Sequence, residues 1–188
     1  MKPPPDDALD QELMKAVGRL ERRAFAQVVE RHYGWALGFA DRLLGNRHEA
    51  EDLVQTAFLR VWQFAPRWEA NAKFSTWLYR VLYNLCMDQL RARRGGTGEP
   101  LDTEFAESVA DEAPGGEERV SALQRDASVR EALERLPVRQ KAAIVLCYYE
   151  ERSQAEAAAL LGVSEGALES LLSRGRATLR TWLRDNLQ

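Results

Sequence analysis

Between Lys73 and Asn84 the chain reads Lys-Phe-Ser-Thr-Trp-Leu-Tyr-Arg-Val-Leu-Tyr-Asn, so cations, aromatic rings and a carboxamide share one short segment. Aromatic planes can stack on unpaired nucleobases, at about 1–3 kcal/mol per base. Cations attract phosphates, and an exposed amide can read the Watson–Crick edge of a flipped base. Helical spacing turns Trp77, Leu78 and Val81 inward and leaves Tyr79, Arg80, Tyr83 and Asn84 partly outward, with Lys73, Ser75 and Thr76 at the start of the helix. The helix ends Leu90-Arg91-Ala92-Arg93-Arg94, where cations complement the helix dipole and can also hold phosphates. The same residues would equally serve as an aromatic core closed by capping arginines, and the segment alone leaves both readings open.

A second segment carries its own geometry. Ser153-Gln154-Ala155-Glu156 is a capping box, and Ala158 is small where a second helix must cross closely. Gly162 supplies a left-handed turn, Val163 plugs the core and Ser164 caps the next helix. Leu168, Leu171 and Leu172 then face inward. This spacing predicts a helix-turn-helix rather than a plain helical hairpin. In such a motif the second helix, here about Glu165 to Trp182, enters the major groove, with its first residues on base edges and basic residues on phosphates. The candidates are Ser164, Glu165, Gly166, Ser170, Ser173, Arg174 and Arg176, with Arg180 further along. Arg174 and Arg176 lie about 200° apart on the helix wheel, so they cannot serve one surface equally. Glu165 and Glu169 are awkward beside phosphates, and duplex binding by this module alone is expected to be weak.

Little else in the chain could do chemistry. The only imidazoles are His32 and His48 and the only thiols Cys86 and Cys147, with no metal-ligand spacing among them. Two reduced, buried thiols are expected, with no metal, no cofactor and no catalytic site. The longest apolar run, Ala142 to Tyr149, is too short to span a membrane. The Pro-rich start has no apolar core of a secretory signal, which predicts a cytoplasmic protein.

Helical periods must position the two segments. Apolar residues recur at Val28, Val29, Tyr33, Ala36, Leu37, Ala40, Leu43 and Leu44, until Gly45-Asn46 ends that helix. A second helix turns Ala50, Leu53, Val54, Ala57, Phe58, Val61 and Trp62 to one side, and a third runs from about Phe74 to Arg94. No alternating strand pattern occurs. Residues 1–94 carry 15 basic and 12 acidic side chains, 95–127 carry 2 and 9, and 128–188 carry 9 and 8. The middle stretch, rich in Gly, Pro and acid, reads as a flexible tether able to reach ~110 Å when extended. The expected fold is all-α, with two small helical domains (1–94 and 128–188, the second holding the helix-turn-helix) joined by an acidic linker, 95–127.

Three stretches now carry a family resemblance. Asn46-Arg47-His48-Glu49-Ala50-Glu51-Asp52-Leu53-Val54-Gln55-Thr56-Ala57-Phe58, then Phe74–Val81 and Asn84–Arg91, resemble the first conserved domain of bacterial extracytoplasmic-function sigma factors. Leu136-Pro137 through Leu179 resembles their second. The resemblance implies a promoter-recognition subunit of RNA polymerase rather than an enzyme. It implies that Asp52, Leu53, Gln55 and Phe58 dock on core polymerase. Lys73, Ser75, Thr76, Trp77, Arg80, Tyr83 and Asn84, with the loop Arg67–Lys73, would bind the melted −10 strand, Asn84 lining a pocket for one flipped base. Ser164, Glu165, Gly166, Ser170, Ser173, Arg174 and Arg176 would read the −35 duplex. The linker would thread toward the polymerase active-site and exit channel, and an anti-sigma factor is an implied partner. Thr56 stands where the family usually has an acid, and Glu169 and Leu171 stand where it is commonly basic.

One further reading competes on the residues: a free-standing helix-turn-helix regulator whose N-terminal block senses or dimerises. It requires tight duplex binding without polymerase, and the sparse basic charge of Glu165–Arg180 opposes it. A helical adaptor with no nucleic-acid role would leave Tyr79, Arg80, Tyr83 and Asn84 without a purpose.

Overall fold

Gly45 and Asn46 divide the N-terminal half at the expected corner. Gly45 takes the left-handed conformation at φ 65° that a Cβ would disfavour, and the Asn46 side chain accepts from Glu49 N at 3.2 Å to cap the next helix. The structure, a computed structural model, describes residues 7–69, 73–93 and 130–186. Every regular element among them is helical. The expected linker lies outside the described residues, as do Arg94 and part of the loop Arg67–Lys73. The chain divides into two compact units, Met1–Gly98 and Glu99–Gln188.

The first unit contains α1 (Asp7–Gly18), α2 (Arg22–Leu44), α3 (Arg47–Phe64), a 3₁₀ turn (Ala65–Arg67) and α4 (Phe74–Arg93). Its core differs in rotation from the expected one. On α2 the fully buried stripe runs through Val28, His32, Trp35, Ala36, Phe39, Ala40 and Leu43, whereas Val29 and Tyr33 are only half-buried. On α4, Tyr79 and Tyr83 are buried, and Trp77 and Val81 are half-buried. The expectation that both tyrosines face outward is therefore corrected. The cause is tertiary: α4 packs against α1, α2 and α3 together, so its inward stripe is wider than a single seam. Tyr79 is held by a parallel stack on Trp35 at 4.2 Å and an edge contact with Phe39 at 5.2 Å, each worth about 0.5–1.5 kcal/mol beyond area burial.

α1 closes this core with Leu13, Met14 and Val17. Its buried Asp10 accepts from Arg31 Nε at 2.9 Å. Trp35 Nε1 donates to His32 Nδ1 at 3.1 Å, so the ring's proton sits on Nε2, 3.0 Å from Asp10 Oδ1. That last contact lacks hydrogen-bond alignment, and with Nδ1 accepting the ring is neutral, so it is a polar contact rather than an ion pair. Gly18 lies against the 3₁₀ turn, where a Cβ would sit 2.8 Å from the Ala65 carbonyl oxygen.

The second unit begins with helical residues 130–134 and continues through α5 (Val138–Ile144), a π-helical turn (Val145–Tyr149), α6 (Gln154–Leu161) and α7 (Glu165–Asn186). Leu168, Leu171 and Leu172 of α7 are buried, each contributing about 1.5–3 kcal/mol. Leu171 thus belongs to the core, which accounts for an apolar residue there. Val163, expected in the core, is only half-buried. Gly175 permits close approach of α7 to α5: a Cβ there would meet Ile144 Cγ1 at 3.1 Å.

Both cysteines are free; Cys86 is buried as expected, but Cys147 is only half-buried. No described helix is long and apolar enough to cross a membrane. Among the described residues no cluster of His, Cys, Asp or Glu could hold a metal ion.

Candidate nucleic-acid interfaces

Lys73, just before α4, and Trp77, Arg80 and Asn84 on it fall within about 60° of one another on the helix wheel and form one stripe. Lys73, Arg80 and Asn84 are exposed, and Ser75, Thr76 and Trp77 are half-buried. Tyr83 is 8% exposed, so it supports this stripe from beneath rather than offering a stacking face. The accessible aromatic surface comes instead from Trp77 together with two rings outside the helical period, Phe64 and Trp68. Phe64, 38% exposed at the end of α3, lies parallel to Trp77 at 5.2 Å and 15°. Trp68 packs edge-on against Phe64, Phe74 and Trp77 at 6.4, 5.8 and 5.8 Å. Its indole Nε1 is buried with no hydrogen-bond partner among the described residues. Only the hydrophobic run ending at Phe64-Ala65-Pro66 hinted at this cluster, since the rings meet across a turn.

The basic end of α4 also differs from expectation. Arg93 Nη1 donates to Leu44 O at 3.0 Å and its Nη2 pairs with Glu49, while Gln89 Nε2 donates to Glu49 at 2.9 Å. These bonds, Gln89's first and then Arg93's, hold the Glu49 carboxyl below the usual range. Arg91 pairs with Asp88 at 2.8 Å. Arg93 therefore clips α4 to the α2–α3 corner, which weakens its expected phosphate role, whereas the Arg91–Asp88 pair stays exposed within α4.

The expected polymerase-docking residues lie on α3. Asp52 and Gln55 are exposed, Leu53 is half-buried and Phe58 is 5% exposed. Phe58 packs parallel to Tyr33 at 6.5 Å, so its expected surface contact is corrected to a supporting one. Thr56 donates its hydroxyl hydrogen to Asp52 O at 2.9 Å, which orients it along the helix.

In the second unit the helix-turn-helix is built as its local chemistry requires. Ser153 Oγ accepts from Glu156 N at 3.2 Å while Glu156 accepts from Ser153 N at 3.1 Å. Gly162 turns at φ 67°, and Val163 N reaches back to Ala158 O at 3.0 Å. Ser164 Oγ then caps α7 by accepting from Ala167 N at 3.2 Å. Glu165, Gly166 and Ser170 are exposed, whereas Ser173, Arg174 and Arg176 are half-buried. Ser170 donates to Gly166 O at 3.0 Å, and Arg174 Nε donates to Ser170 O at 3.3 Å. Arg174 and Arg176 sit at opposite edges of the buried stripe, as their angular separation requires. Arg176 Nη1 donates to the Tyr148 hydroxyl at 3.1 Å, a contact that sequence spacing could not reveal.

Comparison with known proteins follows the same division. Residues 28–95 match the Sigma-70 region 2 family and residues 126–179 the Sigma-70 region 4 family. The ECF RNA polymerase sigma factor SigW of Bacillus subtilis is 34% identical, covering 92% of this chain and 95% of its own length. The RNA polymerase sigma factor CnrH of Cupriavidus metallidurans is 36% identical over 95% of this chain and 96% of its own. Among solved structures, CnrH in complex with the cytosolic domain of CnrY has TM-score 0.68 at 29% identity, covering 95% of this chain and 99% of that one. RpoE bound to the anti-sigma factor NepR, from Bartonella quintana, has TM-score 0.64 at 29% identity, covering 86% of this chain and 98% of that one.

Proposed function

The chain belongs to the extracytoplasmic-function RNA polymerase sigma factors, and from that membership we propose how its two units divide promoter recognition. As a sigma factor it directs bacterial core RNA polymerase to specific promoters and promotes initiation. The α4 stripe captures the melted −10 strand: Lys73 and Arg80 draw the phosphates, the Phe64–Trp77 stack supports an unstacked base, and Asn84 reads a flipped base. Tyr83 and Phe58 act from below by holding the helices. The exposed Asp52 and Gln55 dock on core polymerase. In the second unit, α7 enters the −35 major groove from its Ser164 cap, with Gly166 and Ser170 nearest the bases.

The observation that supports this reading most directly is the Lys73–Trp77–Arg80–Asn84 stripe, a cation, ring and amide array on one exposed face. The division also explains how a chain of net charge −3 can act on DNA, because polymerase supplies most of the phosphate attraction. The solved relatives were captured with the cytosolic domain of CnrY and with the anti-sigma factor NepR, which supports a protein inhibitor of that class here. The place of action is then the cytoplasm, with the polymerase.

Run-off transcription from a random promoter library, with purified bacterial core polymerase, tests the reading. Transcripts sharing two upstream elements, lost or altered with Asn84→Ala and absent with polymerase alone, are the expected result. No stimulation, together with salt-sensitive duplex binding by the chain alone, would replace it with the free-standing regulator.

A further inference from the structure

α1 lies before residue 28, where the family match begins, yet it packs against the 3₁₀ turn and α4, which carry the aromatic cluster. Two contacts lead from it to that cluster. Gly18 sits so close to the turn that a Cβ there would stand 2.8 Å from Ala65 O. That same oxygen accepts from Trp68 N at 3.1 Å, the bond that closes the turn and sets Trp68 edge-on to Phe64. The second contact runs through His32. Its ring is fixed by the bond from Trp35 Nε1 and by Asp10 Oδ1 of α1, 3.0 Å from Nε2. The fixed ring meets Phe74 edge-on at 4.8 Å and 75°. Phe74 in turn lies 5.8 Å from Trp68 and 6.1 Å from Trp77. Both routes therefore end on the rings that flank the Phe64–Trp77 stack. Rings held in place beforehand spend less of their stacking energy on being ordered when a base arrives.

We propose that α1 is a positioning element for capture of the melted strand, Gly18 setting the Trp68 turn and Asp10–His32 setting Phe74. Gly18 and the fully buried His32 act through the rings and make no contact with DNA. The ligand they serve is an unstacked base of the single strand. The inference rests on reading the α4 stripe and its rings as the strand-capturing surface, and adds to it a helix that the family match does not cover.

The test uses holoenzyme assembled from the full chain and purified core polymerase, well below the chain's melting transition. The probe is a forked promoter fragment from the run-off selection, its −10 non-template strand left single, with binding followed by fluorescence anisotropy. Gly18→Ala weakens fork binding about 5-fold, the low end for one lost base stack. Binding to a fragment that ends upstream of the −10 element is unchanged. His32→Gln keeps a donor and an acceptor but loses the ring, and weakens fork binding in the same way; it decides the matter where Gly18→Ala does not fold. Leu43→Val destabilises the buried far end of α2, about 16 Å along the helix from His32, and binds the fork as the parent does. In a Trp68→Ala background Gly18→Ala costs about twofold at most in fork binding, while its effect on the melting temperature is retained. Parent-like fork binding by a folded Gly18→Ala chain or by His32→Gln, an equal loss in Leu43→Val, or full additivity with Trp68→Ala would each overturn the proposal. Asn84→Ala separates the two levels. If it weakens fork binding while Gly18→Ala and His32→Gln do not, α1 has no positioning role and the strand-capturing surface stands; if all three bind as the parent does, both fall.

Discussion

Replacing Asp10 by alanine removes the carboxylate through which α1 is tied to α2. The side chain is 3% exposed and faces Arg31 Nε at 2.9 Å, while the fully buried His32 lies 3.0 Å away. Breaking one side of a buried ion pair costs about 3–5 kcal/mol, because the remaining charge keeps its desolvation penalty. The Arg31 side chain is 24% exposed, so water recovers part of that penalty and the lower end, about 3 kcal/mol, applies. For a unit of this size each kcal/mol moves the melting temperature by about 4–8 °C, so Asp10→Ala should lower the first unit's transition by at least about 12 °C. Asp10→Asn keeps an acceptor for Arg31 without the charge and should lose roughly half as much. Near-ultraviolet circular dichroism is the assay of choice, since Trp35 bonds directly to His32 and reports the same region. Glu12→Ala is the control: it lies on the same helix, exposed and paired with Lys15, and should leave the transition where it is. An Asp10→Ala chain melting within about 3 °C of the parent would refute the reasoning, and α1 would then be held by Leu13, Met14 and Val17 alone.

Other substitutions read other parts of the fold. Gly18→Ala places a Cβ 2.8 Å from the Ala65 backbone oxygen, which cannot rotate away, so calorimetry should show a loss of about 1–3 kcal/mol. Gly166→Ala meets nothing within 4 Å and should stabilise the second unit by up to about 1 kcal/mol, yet weaken −35 binding if the bare backbone approaches the bases. Because the folded Glu49 carboxyl titrates below its ordinary value, its contribution is present above pH 4.5 and fades as pH falls through the lowered folded value. Glu49→Gln should therefore differ most from the parent near neutrality, by less than about 1 kcal/mol given the partial exposure, and converge with it in acid melts. Burial pushes the Cys86 thiol up to about 12 and raises Cys147 as well, so a disulfide reagent at pH 8 should label half-buried Cys147 slowly and Cys86 only on unfolding.

Signals confined to a few neighbouring residues were legible in the sequence. Gly45-Asn46, the Ser153–Glu156 box, Gly162 and the Ser164 cap each satisfy backbone groups within four positions, and all of them appear in the structure. What could not be read locally is which face a helix buries when several neighbours compete for it. Periodicity turns Tyr79 and Tyr83 outward, but α4 meets three helices, so its buried stripe widens to take both rings while Trp77 and Val81 stay half-buried. The stripe nevertheless survives that error, because Arg80 and Asn84 lie one turn apart and rotate together. The Phe64–Trp77 stack and the Tyr148–Arg176 bond join residues 13 and 28 positions apart, beyond the reach of any helical period.

The same distinction bears on charge. Counting residues placed the arginines at the end of α4 and along α7 among possible phosphate ligands, yet the count does not say which are already engaged. Arg93 is committed to Leu44 O and Glu49, whereas the Arg91–Asp88 pair is an exposed contact within one helix that contributes little. Few cations set close to a stacking surface favour a strand already melted, where bases are available, over a closed duplex that presents only phosphate. Under the proposed division the first unit would act on a strand that polymerase has already opened, and its selectivity would come from the stacking surface.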